Sequence, residues 1–111
     1  MSLYIPRLSK RGATGLMTSR LALARLATAD RHGRPHVVPV WFFHVRGKIV
    51  VPSPLNTLKV RNIKERPAAS LVIDSYSGKL KARGVFMEGR ARIVTGPRSR
   101  RLNRLVHAKY L

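Results

Sequence analysis

The sequence is poor in the side chains that most enzymes use for chemistry. It has no cysteine and only four acids among 111 residues, at Asp30, Glu65, Asp74 and Glu88. The missing cysteine excludes disulfides, thiolate metal ligands and cysteine nucleophiles. The four acids are too dispersed for a paired-carboxylate site, and the four histidines show no HExxH spacing. If the protein is an enzyme, a bound cofactor is expected to supply the reactivity.

Long apolar runs are also absent. No stretch of about 18 uninterrupted apolar residues occurs, so the sequence predicts no transmembrane helix. The first residues lack an apolar segment followed by a small-residue cleavage site, so no secretory signal is expected. Together with the missing cysteine, this pattern predicts a cytoplasmic protein without a membrane partner.

Positive charge is abundant, since 23 Lys and Arg residues face the four acids and give a formal net charge of +19. Such a field could serve nucleic-acid binding, a site for a phosphorylated small molecule, or a solvated basic surface. A nucleic-acid module would need arginines on one stripe with exposed aromatics between them. The basic residues are scattered and the aromatics are few, so the sequence disfavours nucleic acid and favours a solvated surface for most of the charge.

The hydrophobic pattern predicts a single domain over residues 1–111. A basic lead-in over 1–15 precedes an alternation of helices and strands that is joined by short turns. Such turns indicate an antiparallel, mainly β (α+β) fold whose strands curl into a barrel. The predicted elements are a helix over 16–22, strands over 23–29, 35–45 and 48–52, a helix from Asn56 or Thr57 to about Arg66, strands over 68–74 and 85–94, and a helix over 97–111.

A set of short segments in fixed order carries a family resemblance. They are Ala24-Arg25-Leu26-Ala27-Thr28-Ala29-Asp30, Gly33-Arg34-Pro35-His36-Val37-Val38-Pro39-Val40-Trp41-Phe42, Val51-Pro52-Ser53, Thr57-Leu58-Lys59-Val60-Arg61-Asn62-Ile63 and Pro67-Ala68-Ala69-Ser70-Leu71-Val72-Ile73. With these segments the sequence resembles the pyridoxamine 5′-phosphate oxidase-like flavoproteins, in particular their short members. The resemblance implies a split β-barrel with flanking short helices. It also implies a homodimer that shares a pair of cofactor sites at the subunit interface.

The resemblance further implies cofactor-binding residues. The strand that includes Val38, Pro39 and Val40 would pass beside the isoalloxazine ring, mainly through backbone contacts. Pro39 cannot donate to a ladder, so it independently predicts an edge strand or a bulge.

The cofactor phosphate is expected at Ser53, Thr57 and Lys59. A hydroxyl at a strand end, a hydroxyl at a helix start and a cation one turn inside can converge on one anion near the helix N-terminus. The family has an arginine where this sequence has Leu58, so half of the expected cationic clamp is missing.

The resulting functional hypothesis is an FMN-dependent oxidoreductase that exchanges a hydride between the flavin N5 atom and a small molecule of unknown identity. One alternative replaces FMN with the deazaflavin F-420, and another is a flavin carrier without turnover. A basic nucleic-acid-binding module is the remaining alternative. No metal site is expected, and the sequence does not indicate catalytic residues.

Overall fold

The computed structural model describes residues 23–46, 48–77 and 81–110, with side chains described for all of these except 75–77 and 81–83. The helix predicted over 16–22 lies outside the described residues. The elements are β1 (Leu23–Ala29), β2 (Pro35–Val40), β3 (Phe43–Val45), β4 (Lys48–Val50), α1 (Leu58–Glu65), β5 (Ala68–Ser77), β6 (Lys81–Arg90) and α2 (Pro97–Tyr110).

The strands form two antiparallel sheets. The larger has four strands in the order β2-β1-β5-β6, and the smaller is the hairpin of β3 and β4. Strand β1 lies inside the larger sheet, with Leu26 opposite Val38 on one side and Leu71 on the other. Within the described part of the chain no ladder joins the two sheets, so these strands do not form a closed barrel. The predicted mainly antiparallel fold with flanking helices is confirmed.

The core lies between the inner face of the larger sheet and the hairpin. Alternate residues of β1, β2 and β5 face inward because side chains alternate along a strand. Phe42 and Ile73 are fully buried at its centre, and Ile49 of the hairpin packs against the same cluster. Full burial of such a side chain contributes about 1.5–3 kcal/mol. The hairpin is thereby held over the sheet by apolar packing.

The loop between β1 and β2 is organised by Asp30. Its Oδ1 accepts the backbone N–H groups of His32 at 2.8 Å and Arg34 at 2.9 Å, and its Oδ2 accepts Nε of Arg34 at 2.8 Å. The hydrogen bond from the Arg34 backbone is the main reason that the pKa of Asp30 falls to about 2. Gly33 takes φ +80°, which an L side chain rarely adopts. The sequence Asp30-Arg31-His32-Gly33-Arg34 between two strand patterns predicts this hairpin loop, with Gly33 free to take positive φ, and the structure confirms it.

The strand predicted over 35–45 is not continuous. The chain leaves the larger sheet after Val40, and the buried Phe42 turns it into the hairpin that begins at Phe43. Such an apolar run predicts a strand that is either buried on both faces or covered by a second subunit, and the single chain buries only one face of β2. Strand β2 is an edge strand and Val37 on its outer face is 61% exposed. A run of apolar residues is compatible with one long strand and with two short strands, because both have the same composition.

Helix α2 is tied to the hairpin side of the molecule through its buried Val106 and its last turn. Nζ of Lys109 donates to the carbonyl oxygen of Phe42 at 3.2 Å and lies 3.4 Å from the centre of the Phe42 ring. Burial lowers the pKa of Lys109 to about 8. Tyr110 stacks on Trp41 with ring centres 5.0 Å apart. In the ranges that the structure describes, no helix is long and apolar enough to cross a membrane.

Helix α1 is fastened to β1 by a buried polar contact. Asn62 is 1% exposed, and its Nδ2 donates to Oγ1 of Thr28 at 3.1 Å. At the end of the helix the N–H of Arg66 donates to the carbonyl oxygen of Asn62, and Nη2 of Arg66 donates to the carbonyl oxygen of Arg31. These bonds fix the rotation of α1 about its axis and its position against β1.

Replacing Thr28 by Val should lower the free energy of unfolding by about 1–3 kcal/mol, because the buried amide of Asn62 loses its acceptor while the volume is nearly unchanged. Urea unfolding followed by far-UV circular dichroism measures this change. Thr28→Ser is the matched control, since it keeps the oxygen and should lose less. Equal stability of the wild-type and Thr28→Val proteins would show that the contact does not hold the helix.

Candidate functional site

A cleft of about 890 Å³ opens between α1, α2, the hairpin and the last part of β6. We call it the basic cleft. Its volume lies in the range of roughly 300–1,000 Å³ that is usual for small-molecule sites. Residues from seven elements and their connections line it, so it is a product of the fold and not of one loop.

The floor of the basic cleft is apolar. It includes Leu26, Ile49, Val51, Leu71 and Met87, whose side chains extend the core outward to the cleft. An apolar floor suits the faces of an aromatic ring, because the ring can lose its hydration there without leaving polar groups unpaired.

The rim of the basic cleft is strongly cationic. Five basic residues line it against a single acid, Glu88; they are Lys48, Lys59, Arg90, Arg92 and Arg98. Several cations beside a low-dielectric floor raise the local concentration of anions. The cleft therefore combines an apolar floor with a rim that attracts negative charge.

The N-terminus of α1 reinforces this charge. The helix begins at Leu58 with Thr57 as the N-cap residue, and its first turn contains no acidic residue. No side chain makes a capping hydrogen bond to it in the described part of the structure. The first N–H groups of a helix have no intrahelical acceptor and carry the positive end of its dipole. An anion beside Lys59 could accept hydrogen bonds from these groups.

Two of the three predicted phosphate residues come together. Ser53 and Lys59 line the same cleft. Thr57 makes another contact: its Oγ1 donates to the carbonyl oxygen of Pro54 at 2.9 Å. Thr57 occupies the N-cap position, but its side chain makes no capping hydrogen bond. A cap would require Oγ1 to accept an N–H of the first turn, and the contact that the hydroxyl makes instead closes the turn before the helix. Thr57 shapes the entry to α1, and its hydroxyl proton is not directed at the cleft.

The predicted ring-binding strand lies elsewhere in the single chain. Pro39 is on the edge strand β2, where its missing N–H costs no ladder bond, and this part of the expectation is confirmed. Val38 and Val40 face the core, and Pro39 faces outward with Val37. None of the three predicted residues lines the basic cleft. In the single chain the predicted ring-binding residues therefore lie apart from the cleft that contains Ser53 and Lys59.

Arg92 and Arg98 were missed by the sequence reasoning. Both lie more than 30 positions after Lys59, Arg92 between β6 and α2 and Arg98 in the first turn of α2. Sequence spacing does not place these arginines beside α1, because their position in the basic cleft depends on how α2 packs beside the hairpin. The signal that could have drawn attention to them was the absence of any acid after Glu88 in the sequence.

A second, shallower hollow of about 540 Å³ adjoins the cleft across residues 88–90. It lies where the pairing of β1 with β5 ends, and most of its lining is small: Ala27, Ala29, Ala68, Ala69, Ser70 and Gly89. Arg90 is its only basic lining residue, so the basic cleft is the more cationic of the two hollows. The described residues contain no group of three or more metal-ligating side chains that could hold a metal ion.

The chain is similar to solved structures over most of its length. A conserved hypothetical protein from Mycobacterium tuberculosis superposes with a TM-score of 0.82 at 26% identity, over 94% of this chain and 65% of that one. An F420 reductase gives a TM-score of 0.73 at 20% identity, over 96% of this chain and 79% of that one. A FAD-binding protein from Mesorhizobium loti gives 0.70 at 23% identity, over 87% of this chain and 68% of that one.

The chain thus spans slightly less than two thirds of the Mycobacterium tuberculosis protein. Proteins described as heme-binding or heme-storing also share the fold. No curated protein matches the sequence. A comparison with protein families matches residues 17–111 to the pyridoxamine 5′-phosphate oxidase family. The ordered motifs, the split antiparallel fold and this match over most of the chain agree, and the protein belongs to the pyridoxamine 5′-phosphate oxidase family.

Proposed function

We propose that the protein binds FMN in the basic cleft and acts as an oxidoreductase on a small molecule. The observation that carries this proposal is the meeting of Lys59, Ser53 and the uncapped N-terminus of α1 on one cleft with an apolar floor. The phosphate would lie at the helix terminus and the ring system over the floor.

The residues present fit a phosphate group. Lys59 offers a charged donor, Ser53 a hydroxyl, and the first turn of α1 its free N–H groups. Leu58 occupies the place of the second cation that the family uses, but Arg92 and Arg98 line the same cleft. We infer that these two arginines supply the charge that Leu58 does not.

The residues also fit the remaining requirements of a flavin site. When bound, the flavin supplies the hydride chemistry that this acid-poor sequence does not contain. The protein's own contribution is to anchor the phosphate, to orient the ring against the floor formed by Ile49, Leu71 and Met87, and to keep water from it.

The deazaflavin F-420 is the second candidate cofactor. The rim holds five cations, and the phosphate of FMN needs only two or three, so a cofactor with further anionic groups would use the remainder. The F420 reductase that shares the fold agrees with this candidate. A carrier that binds flavin without turnover would need the same phosphate anchor. Steady-state assays with electron acceptors distinguish such a carrier from an oxidoreductase.

Replacing Lys59 by Ala should weaken FMN binding by about 1.5–3 kcal/mol, or about 10- to 150-fold in Kd, because a charge-assisted phosphate contact is lost. Isothermal titration calorimetry on the apoprotein measures the affinity. Lys64→Ala is the matched control, since Lys64 is exposed on the same helix and does not line the cleft. Equal affinity of the Lys59→Ala and Lys64→Ala proteins would show that Lys59 does not contact the phosphate.

We propose that the functional unit is a homodimer. The outer face of the larger sheet is rich in exposed apolar side chains, with Val37 at 61% and Phe86 at 49%, and Pro39 also lies on it. An uncovered apolar face of this kind usually marks an interface. A second copy on this face would cover these side chains and remove them from water.

A charged residue on this face should separate the subunits. Val37→Arg should raise the dimer Kd at least tenfold, because the guanidinium would be buried without a partner. Light scattering coupled to gel filtration measures the mass. Leu105→Arg is the control, since it introduces the same charge at an exposed leucine on α2. A wild-type protein that is monomeric at the highest soluble concentration, or a Val37→Arg protein that dimerises as well as the control, would refute the proposed interface.

A further inference from the structure

The solvent-facing side of α2 presents three arginines, Arg100, Arg101 and Arg104, all of them exposed. At 3.6 residues per turn these positions fall within about 100° of the helix circumference. The buried Val106 lies on the opposite side. We call these three residues the arginine face.

No acidic side chain compensates the arginine face. Helix α2 contains no Asp or Glu, and no acid follows Glu88 in the sequence. Among the described residues the ion pairs join Arg25 to Asp74 and Arg34 to Asp30, on the larger sheet and its loop. Arg104 is spaced three and four residues from the other two arginines, where like charges on a helix repel one another. The helix would therefore gain from an external polyanion.

The arginine face is separate from the proposed cofactor site. The side of α2 that lines the basic cleft consists of Arg98, Ser99, Leu102 and Asn103. Arg100, Arg101 and Arg104 do not line it. One helix therefore presents two cationic surfaces, and the flavin proposal accounts for only one of them.

We propose that the arginine face binds the sugar-phosphate backbone of a nucleic acid. Guanidinium groups match phosphate oxygens with paired hydrogen bonds, and arginine is preferred for such contacts. Four residues advance about 6 Å along a helix, so the three side chains can reach successive phosphates of one strand. Contacts to phosphates alone carry no base information, and the binding is independent of nucleotide sequence.

The fold brings together basic residues that are separated in the sequence. Along the sequence the basic residues are scattered, which disfavours a nucleic-acid surface. In the structure the period of α2 collects three of them on one side. A membrane surface fits less well, because an interfacial helix needs a free apolar face to insert. The apolar side of α2 is already used, with Val106 buried and Tyr110 stacked on Trp41.

The test compares two triple variants of the full-length protein. Arg100→Gln, Arg101→Gln and Arg104→Gln together remove the arginine face. Arg46→Gln, Arg61→Gln and Lys64→Gln together remove the same charge from exposed positions elsewhere. Fluorescence anisotropy with a labelled DNA duplex of mixed sequence gives the affinity over a salt series. Circular dichroism checks that both variants are folded, and a flavin titration checks that the cofactor affinity is unchanged.

Loss of the arginine face should make the slope of log K against log salt less steep by about 2.7, at roughly 0.9 per phosphate for three contacts. These contacts correspond to about a 40-fold difference in affinity between about 50 and 200 mM salt. The control variant should stay near the wild type. Equal losses in both variants would overturn the proposal in favour of scattered charge. It would also be overturned by absence of duplex binding at low salt, or by binding only to vesicles of phosphatidylcholine and phosphatidylserine.

Discussion

The hydrogen bond between Asn62 and Thr28 is the contact on which the arrangement of the proposed site depends. It is buried, and it joins the middle of α1 to the inner face of β1. Because it fixes the rotation of the helix, it also fixes the direction of the first turn and of Lys59, which lines the basic cleft. The turn closed by Thr57 and Pro54 sets the start of the same helix. A phosphate anchor built from a helix terminus requires this kind of rigid support, since a small rotation would turn the free N–H groups away from the cleft.

The shortage of acids leaves most of the positive charge of the molecule uncompensated. With four acids against 23 basic residues, most cations have no carboxylate nearby. Where the fold gathers cations, they form surfaces that attract anions, and α2 takes part in two of them. Arg98 faces the basic cleft, and Arg100 and Arg104 face solvent. The same composition therefore favours a phosphorylated cofactor on one side of the helix and a polyanion on the other.

Much of the fold could be predicted because its signals are local. Gly33 and Asp30 mark the hairpin loop, Pro97 opens α2, and Pro39 indicates an edge strand. Ser53 and Lys59 could be nominated because they flank one predicted helix start. The break between β2 and β3 could not be predicted, because the burial of Phe42 depends on the hairpin folding over the sheet. Arg92 and Arg98 could not be placed either, since they reach the cleft only through tertiary packing. The sequence predicts that the Thr57 hydroxyl contacts an anion, but in the structure this hydroxyl donates to the backbone carbonyl oxygen of Pro54.

The most direct test of the central claim is a titration of the purified, cofactor-free protein with FMN, followed by the visible absorption spectrum and by the melting temperature. We expect a shifted flavin spectrum that saturates at one FMN per chain, together with a rise in melting temperature, because ligand binding stabilises the folded state. Saturation with F-420 in place of FMN would keep the basic cleft as the site and change the cofactor. A spectrum and a melting temperature that neither compound alters would show that the protein binds no flavin of this kind.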